Sequence, residues 1–486
     1  MFTRLIFAAV RSGFTRRNVH RMNTAQQLRP LYAALKSRAS LAAVLTVVLA
    51  AGITVIDLKN WRERERVIEH DVHSYYAYLP AFFIYDDIKL EKGDYRAGPD
   101  YYYFWPNYTP EGRRVIKMSM GLSALYAPFF FAAHAYASAS DAYPATGFSE
   151  PYKVMLLVSA LFYLLLGLLA VRRLLRDTGF SEGITALTLL LIGVGTNLFA
   201  YASQSAPNVH VYNFFLFASF ALLTRWWYRS PSMGRSAAVG LLFGLIALVR
   251  PSNAVIALFF ALYGVTSLRD AAVRARFFAE RLHHLLIIAA CAAVVWVPQL
   301  IYWKAATGSL VYYSYNEEGF YFTDPKIVEG LFSFRKGWLV YTPMMAFALA
   351  GFFVMRNRAR DWLIPVAVFT ALHIYIVFSW WCWWYGGSFG QRVMIEAYAL
   401  LAVPFASFLV FLSGKNAALK WAFAGVAGFF IWLNIFQTYQ FENLSLHHDG
   451  MNRTLWLKQF GRMEKVPDFD RHVDWPDYDG AKERKE

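Results

Sequence analysis

The densest group of acid, imidazole and phenol side chains lies in residues 68–87, IEHDVHSYYAYLPAFFIYDD, just after the first long apolar run. Within it, Asp71 is followed four residues later by Tyr75. A carboxylate beside tyrosine hydroxyls at a low-dielectric boundary can act as a general base toward a substrate hydroxyl. The plainer alternative for Asp71 is a solvated loop carboxylate or a helix cap. We predict that any chemistry of this chain centres on Asp71.

Two further acids close the same stretch. Asp86 and Asp87 are predicted as additional catalytic acids, with a metal ligand or an ordinary polar loop as the alternatives. His70 and His73 have no third ligand in the sequence, so their spacing gives a metal site little support. A divalent metal ion therefore stays an open alternative, and no other cofactor is predicted.

Positively charged side chains later in the chain are candidates for holding a phosphate group. Arg250 precedes a proline, and Arg392 follows the run GGSFG at 386–390, whose glycines allow the backbone to approach a ligand closely. Arginine binds phosphate through a planar fork of donors. Arg335 and Lys336 form a second basic pair with the same predicted role. Snorkelling of long side chains at a membrane interface is the alternative for the two isolated arginines.

Other side chains near these groups are candidates for contact with a substrate. Four tryptophans within residues 380–384 indicate either an aromatic belt at a membrane interface or a stacking surface for sugar rings or a prenyl chain. An acidic pair inside YYSYNEEGFYF is predicted as a rim contact. The predicted substrate-binding residues are Tyr75, Tyr76, His73, His210, Asn208, Glu317, Glu318 and Trp384.

The composition indicates the environment that must position these residues. Of the 486 residues, 57% are hydrophobic and 17% are charged, whereas soluble globular domains run closer to ~25% charged. Successive apolar runs of about 17–20 residues match the length of a helix that spans a bilayer. The ~10-residue alternation of a porin-type barrel is absent from the sequence. We therefore predict an all-α polytopic membrane protein.

The net charge of +15 comes from short basic blocks between the apolar runs. That distribution is the positive-inside pattern of membrane proteins, and it does not indicate binding to nucleic acid. The two cysteines lie in an apolar run and in the tryptophan cluster, so neither a disulfide framework nor a cysteine-based metal site is predicted.

Four segments follow from the charge pattern. Residues 1–40 are predicted as a basic cytoplasmic segment, with a targeting peptide as the alternative. Residues 41–437 are predicted as a transmembrane domain of about 11 helices, with the N-terminus inside. Within it, residues 59–152 form an extracytoplasmic first loop. Residues 438–486 form a polar extracytoplasmic tail with little core of its own. The candidate residues then collect on the extracytoplasmic side.

Residues 118–137 decide the sidedness of everything that follows them. The run is apolar enough to cross a membrane, but counting it as a span puts several basic blocks on the outside. A re-entrant or surface-lying helix keeps those blocks inside. Pro128 and His134 within the run also argue against a complete crossing. We predict that this run does not cross.

Together these residues resemble the membrane-embedded GT-C glycosyltransferases, in the style of bacterial relatives of lipid A aminoarabinose transferase and of protein O-mannosyltransferases. That family has a long first outer loop with the motif Asp-Glu-x-x-Tyr. Asp71 and Tyr75 match the motif, while Val72 replaces its glutamate. The family's second acid follows a proline in the next outer loop, where this chain has Pro207 and Asn208. The stretches LVRPSNAV, GLFSFRKGWLVYTP and WWYGGSFGQR also resemble patterns in family members.

The resemblance implies a GT-C-like bundle in a bacterial cytoplasmic (inner) membrane with an extracytoplasmic active site. It implies a polyprenyl-phosphate-linked sugar as donor and an envelope glycan, lipid or protein as acceptor. Asp71 would deprotonate the acceptor hydroxyl, which attacks the anomeric carbon with inversion. Arg250 and Arg392 would stabilise the departing lipid phosphate.

Two other classes of function remain open from the sequence. A polytopic transporter or lipid flippase would have no sugar-transfer chemistry and would place polar groups on broken helices at mid-membrane. A non-catalytic scaffold subunit would use residues 438–486 for docking.

Overall fold

A computed structural model describes residues 38–92, 106–355 and 359–483. The predicted basic segment at residues 1–40 therefore lies mostly outside the described residues. The α-helices are α1 (Ala39–Leu58), α2 (His70–Tyr76), α3 (Tyr78–Phe83), α4 (Gly121–Ser138), α5 (Glu150–Asp177), α6 (Glu182–Gly195), α7 (Leu198–Ala202), α8 (Val209–Arg229), α9 (Met233–Val249), α10 (Ala257–Leu262), α11 (Leu268–Ala279), α12 (Leu282–Thr307), α13 (Ile327–Phe332), α14 (Trp338–Tyr341), α15 (Met345–Gly351), α16 (Arg360–Phe378), α17 (Tyr398–Ser413), α18 (Ala417–Glu442), α19 (Arg453–Gln459) and α20 (Tyr478–Lys482).

The remaining regular structure consists of short elements. Short 3-10 helices span Asn60–Arg62, Pro251–Ile256, Arg392–Ala397 and Phe469–His472. The strands found in the described ranges are β1 (Asn107–Tyr108) and β2 (Arg114–Val115), which pair antiparallel.

Six helical segments of the described chain are long and apolar enough to cross a membrane. They are α1 with the turn after it, α5, α12, α16, α17 with the turn before it, and α18. The prediction of an all-α, membrane-embedded chain is confirmed at this level. The 11 crossings, the kind of membrane and the orientation stay predictions. Helix α4, which covers most of residues 118–137, is not among the six.

Three apolar runs of the sequence are not single continuous α-helices in the structure. Residues 184–203 divide into α6 and α7 because Thr196 has extended backbone, with φ −133° and ψ 166°. Residues 338–354 divide into α14 and α15 around Pro343, whose ring cannot continue the preceding helix. Residues 254–268 begin in a 3-10 turn and continue as α10.

Helices α9 and α12 pack side by side through glycines spaced four residues apart. A Cβ built on Gly240 would lie 2.4 Å from the carbonyl oxygen of Ile288, and one built on Gly244 would lie 2.7 Å from that of Ala292. Such small-residue spacing allows two apolar helices to approach closely where water provides no hydrophobic driving force.

Replacing Gly240 with leucine is expected to force α9 and α12 apart. Overpacking typically costs about 1–3 kcal/mol, so the variant should unfold at a lower temperature in detergent. Gly234→Leu is the matched control, because no atom lies within 4 Å of a Cβ built on this residue of the same helix. Equal unfolding temperatures for the two variants would contradict the close packing.

The C-terminal segment, residues 443–483, folds against the loop that precedes α17. Ala481 is buried with Trp381 and Trp384, while Leu455 and Phe469 join the main core. A segment expected to have little core of its own is thus built into the domain, and it reaches the candidate site described next.

Candidate functional site

Asp71 lies in the first turn of α2, where its side chain meets Arg392. Its neighbours Val72 and Tyr75 are buried and fix the helix against the core. An oxygen of the Asp71 carboxylate lies 2.9 Å from Nη2 of Arg392, and the two side chains are 33% and 15% exposed. Two residues separated by most of the chain therefore form one partly buried ion pair.

Arg392 is positioned by the glycine-rich loop before it. Its Nη2 also donates to the carbonyl oxygen of Tyr385 at 3.0 Å. Gly390 has φ +57°, and a Cβ there would lie 2.9 Å from the Cβ of Tyr341, so this turn favours glycine for both conformation and space. The buried Nε of Arg392 has no hydrogen-bond partner in the described part of the chain.

A second ion pair, Arg250 with Glu396, lies beside the first. Nη1 of Arg250 is 3.4 Å from Oε1 of Glu396. The same oxygen accepts hydrogen bonds from Nδ2 of Asn213 at 3.1 Å and lies 3.0 Å from Nδ1 of His210. The Glu396 side chain is 1% exposed, so this acid holds Arg250 and His210 in place from behind.

A third ion pair links Lys117 to Glu318. Their side-chain nitrogen and oxygen are 2.5 Å apart, and the Lys117 ammonium lies 5.2 Å from the centre of the Tyr315 ring. This contact joins the segment after β2 to the loop between α12 and α13.

The three pairs border one pocket of about 280 Å³, here called the aromatic cavity. Its charged lining is Lys117, Arg250, Arg392, Asp71 and Glu318, while Glu396 lies behind Arg250, so each cation is paired with a carboxylate. Aromatic rings supply most of the remaining wall; they are Tyr75, Tyr313, Tyr315, Phe320, Trp380, Trp381, Tyr385 and Tyr478.

A larger pocket of about 580 Å³, here called the polar cavity, lies against the same ion pair. The two cavities share Asp71, Gly386, Arg392 and Tyr478. The lining specific to the polar cavity is mostly hydrophilic and includes Arg66, Glu69, His70, Gln204, Asn208, Ser388, Glu442, His448 and Asp449. The Asp71–Arg392 pair therefore stands at the junction of two chemically different spaces.

The electrostatics keep Asp71 ionised. Burial acts to raise the pKa of the Asp71 carboxyl, but the positive charges of Arg392, Arg250 and Lys117 more than offset it, so the pKa lies below its ordinary value. Burial raises the pKa of the Tyr75 phenol, which therefore stays protonated at neutral pH. The site thus combines a carboxylate with neutral phenols that can donate hydrogen bonds.

Of the predicted site residues, the structure brings six together at the aromatic cavity, and it places one more at the polar cavity. The six are Asp71, Tyr75, His210, Arg250, Glu318 and Arg392. The one at the polar cavity is Asn208.

The second predicted basic pair lies apart from the aromatic cavity. Arg335 pairs with Asp474 at 3.1 Å and lies over the Trp384 ring, beside a separate surface pocket. The Lys336 ammonium is buried and donates to the carbonyl oxygens of Ser388 and His448. Burial lowers the pKa of Lys336 to about 7, partly offset by Asp449. Trp384 is fully buried and packs on Tyr478.

The other predicted acids are Asp86, Asp87 and Glu317, and each of them is either exposed or fixes a turn. Asp86 is exposed and forms an ion pair with Lys92 at 2.7 Å. The Asp87 carboxylate accepts the backbone N–H groups of Glu91 and Lys92, at 2.8 and 2.6 Å, and so fixes a turn. Glu317 is exposed.

His73 and Tyr76 belong to the core beneath α2. The His73 ring packs on Phe148, and burial lowers the pKa of His73 to about 3. The Tyr76 hydroxyl donates to the carbonyl oxygen of Gly147 at 2.5 Å.

Several site residues escaped the sequence analysis. Glu396 is the most informative, because a single acid inside the apolar run VMIEAYALL is itself a signal of a functional or paired charge. Lys117 carries no such signal, since it lies in a polar loop. Other residues missed at the two cavities include Tyr315, Tyr385, Gln204, Glu69, Arg66, Glu442, His448, Asp449 and Tyr478.

Within residues 38–92, 106–355 and 359–483, no group of three or more histidine, cysteine, aspartate or glutamate side chains is arranged to hold a metal ion. Comparison of the sequence with protein-family models finds no match, and comparison with curated proteins finds none.

Proposed function

We propose that this chain is an integral membrane glycosyltransferase that moves a sugar from a polyprenyl-phosphate donor to a hydroxyl of a cell-envelope acceptor on the extracytoplasmic side. The observation that carries the proposal is the Asp71–Arg392 ion pair at the junction of two cavities. One member can take a proton and the other can hold a phosphate, and each side of the pair has space for a substrate.

The aromatic cavity is the better match for the donor. Two arginines line it, and an arginine fork can bind two phosphate oxygens at once. The buried Nε of Arg392 has no partner in the described part of the chain, so this guanidinium keeps one donor unused. The tyrosine and tryptophan rings offer faces on which a sugar ring can pack.

The proposed reaction forms a bond between the acceptor oxygen and the anomeric carbon while the bond from that carbon to the phosphate oxygen breaks. The proton of the acceptor hydroxyl passes to a carboxylate oxygen of Asp71. The electron pair of the broken bond leaves with the lipid phosphate, whose negative charge grows in the transition state. Arg250 and Arg392 stabilise that charge, since preorganised cations act most strongly where charge develops.

The direct test is transfer by the purified full-length protein in lipid vesicles. Candidate sugars linked to undecaprenyl phosphate are mixed with envelope glycan, lipid and protein acceptors, and products are identified by mass. A product heavier than an acceptor by one sugar supports the proposal. Movement of the donor lipid between leaflets with no such product for any pair would favour a flippase instead.

The acid limb of the pH profile is expected to lie below about pH 4, the usual range of an aspartate. Because nearby cations lower the pKa of Asp71, the base stays deprotonated as the pH falls and is lost only below its ordinary pKa. Lys117→Gln should move the limb of kcat/KM to higher pH, because it removes one of those cations.

Lys92→Gln is the control for that shift, since Lys92 pairs with the exposed Asp86 and does not line either cavity. An acid limb near neutral pH in the unmodified protein would contradict the role of Asp71.

A further inference from the structure

The polar cavity differs in charge from the aromatic cavity, although the two share Asp71 and Arg392. Four carboxylates line it, from Glu69, Asp71, Glu442 and Asp449, against two arginines, Arg66 and Arg392, and the buried Lys336 ammonium behind the wall. An anionic ligand would meet net repulsion there. A neutral ligand, or one that carries an ammonium group, would not.

Three residues that line this cavity each have a buried side-chain oxygen without a hydrogen-bond partner among the residues that the structure describes. These oxygens are Oδ1 of Asn208, Oε1 of Gln204 and Oδ1 of Asp449. The three residues are 8%, 7% and 4% exposed. An unsatisfied buried acceptor costs about 1–3 kcal/mol, so a ligand that donates hydrogen bonds to several of them gains that energy back.

These acceptors come from two distant parts of the chain. Gln204 and Asn208 lie between α7 and α8, and the Gln204 amide is fixed by donating from Nε2 to the carbonyl oxygen of Thr438 at 2.7 Å. Asp449 belongs to the C-terminal segment, where its Oδ2 accepts the Tyr478 hydroxyl at 2.5 Å. The Gln204 and Asp449 side chains are therefore held in place, and each keeps one oxygen without a partner among the described residues.

The backbone behind the cavity is also fixed. The Lys336 ammonium bridges the carbonyl oxygens of Ser388 and His448, so it ties the glycine-rich loop to the C-terminal segment. The cavity is thus built by the whole fold and not by one mobile loop.

We propose that the polar cavity binds the acceptor and that the acceptor is a carbohydrate, neutral or amine-bearing, whose hydroxyl or ammonium groups donate to Gln204, Asn208 and Asp449. This inference rests on the proposed transferase function, because only that function gives the cavity an acceptor to hold. A phosphorylated headgroup or an acidic peptide does not fit this lining.

The test measures equilibrium binding of small sugars to the full-length protein in nanodiscs, without donor. The probes are chitobiose, its fully deacetylated form and glucose 6-phosphate. Chitobiose and the deacetylated form are expected to bind, and glucose 6-phosphate is expected not to compete with them. Asp449→Asn should weaken binding about tenfold, more for the cationic sugar, because hydrogen bonds to a charged group are the stronger ones.

Asp470→Asn is the matched control, since this carboxylate lies on the same C-terminal segment but its side chain is 89% exposed. Asn208→Leu gives a second variant that removes the amide at similar volume, should Asp449→Asn fail to fold. Absence of binding by both uncharged and cationic sugars would overturn the inference, as would competitive binding of glucose 6-phosphate at this cavity.

The outcome also separates the two proposals. Sugar binding without transfer to any acceptor would remove the transferase function and leave the ligand class of the cavity. Transfer to a lipid or protein, with no sugar binding, would remove this inference and leave the transferase.

Discussion

Asp71→Asn is expected to reduce sugar transfer by about 10²–10⁴-fold while the protein stays folded and inserted. Asparagine has nearly the same shape, and its amide oxygen can still accept from Arg392. It cannot take the proton of an acceptor hydroxyl, and it removes the negative charge that pairs with Arg392. The loss should therefore appear in kcat, with a smaller change in the KM for the donor.

Asp86→Asn serves as the matched control, because the Asp86 side chain is 96% exposed and pairs with Lys92 away from both cavities. It makes the same chemical change in the same stretch of sequence and should keep full activity. Normal turnover by Asp71→Asn would end the assignment of Asp71 as the base.

Arg392→Ala is expected to weaken binding of a polyprenyl phosphate by about 10–100-fold, since each charge-assisted hydrogen bond contributes about 1.5–3 kcal/mol. The loss in transfer should be larger than the loss in binding, because the charge on the phosphate grows as the bond breaks. Binding is measured with undecaprenyl phosphate in nanodiscs, and transfer with the sugar-linked donor.

Arg335→Ala is the control for this change. The sequence predicts the same role for it, but Arg335 pairs with Asp474 beside a different surface pocket. Unchanged undecaprenyl phosphate binding by Arg392→Ala would remove the phosphate contact. The double variant with Asp71→Asn should lose less activity than the two single losses combined, because directly paired residues are not additive.

The sequence was sufficient to predict the class of fold. Apolar runs and low charge content follow directly from the physics of a bilayer, and the helices came where those runs lie. The interruptions of the helices were harder to predict, because a run such as residues 338–354 is almost entirely apolar and only Pro343 marks the break. Whether each broken segment crosses the membrane depends on packing that a hydropathy pattern does not contain.

The candidate site was predictable as a set of residue types but not as a set of pairs. Asp71 and Arg392 were each singled out, and yet their contact depends on how α2 docks beside the loop before α17. Glu396 was not predicted, because the apolar residues around it indicated a transmembrane helix without a functional role. Asp71 and Asp87 are both aspartates of the same stretch. The Asp87 carboxylate fixes a local turn, whereas Asp71 lines a cavity, and the sequence alone does not show this difference.

The Asp71–Arg392 ion pair lies in the wall that the two cavities share, and this position has a consequence for the order in which ligands bind. Arg392 engages one oxygen of the Asp71 carboxylate, at 2.9 Å. Under the proposed function, a donor phosphate that draws the Arg392 guanidinium toward itself frees that oxygen, and the Asp71 carboxylate becomes a stronger base because a neighbouring cation has moved away. A ligand in one cavity then changes the affinity of the other cavity for its own ligand, and the effect in the opposite direction has the same factor.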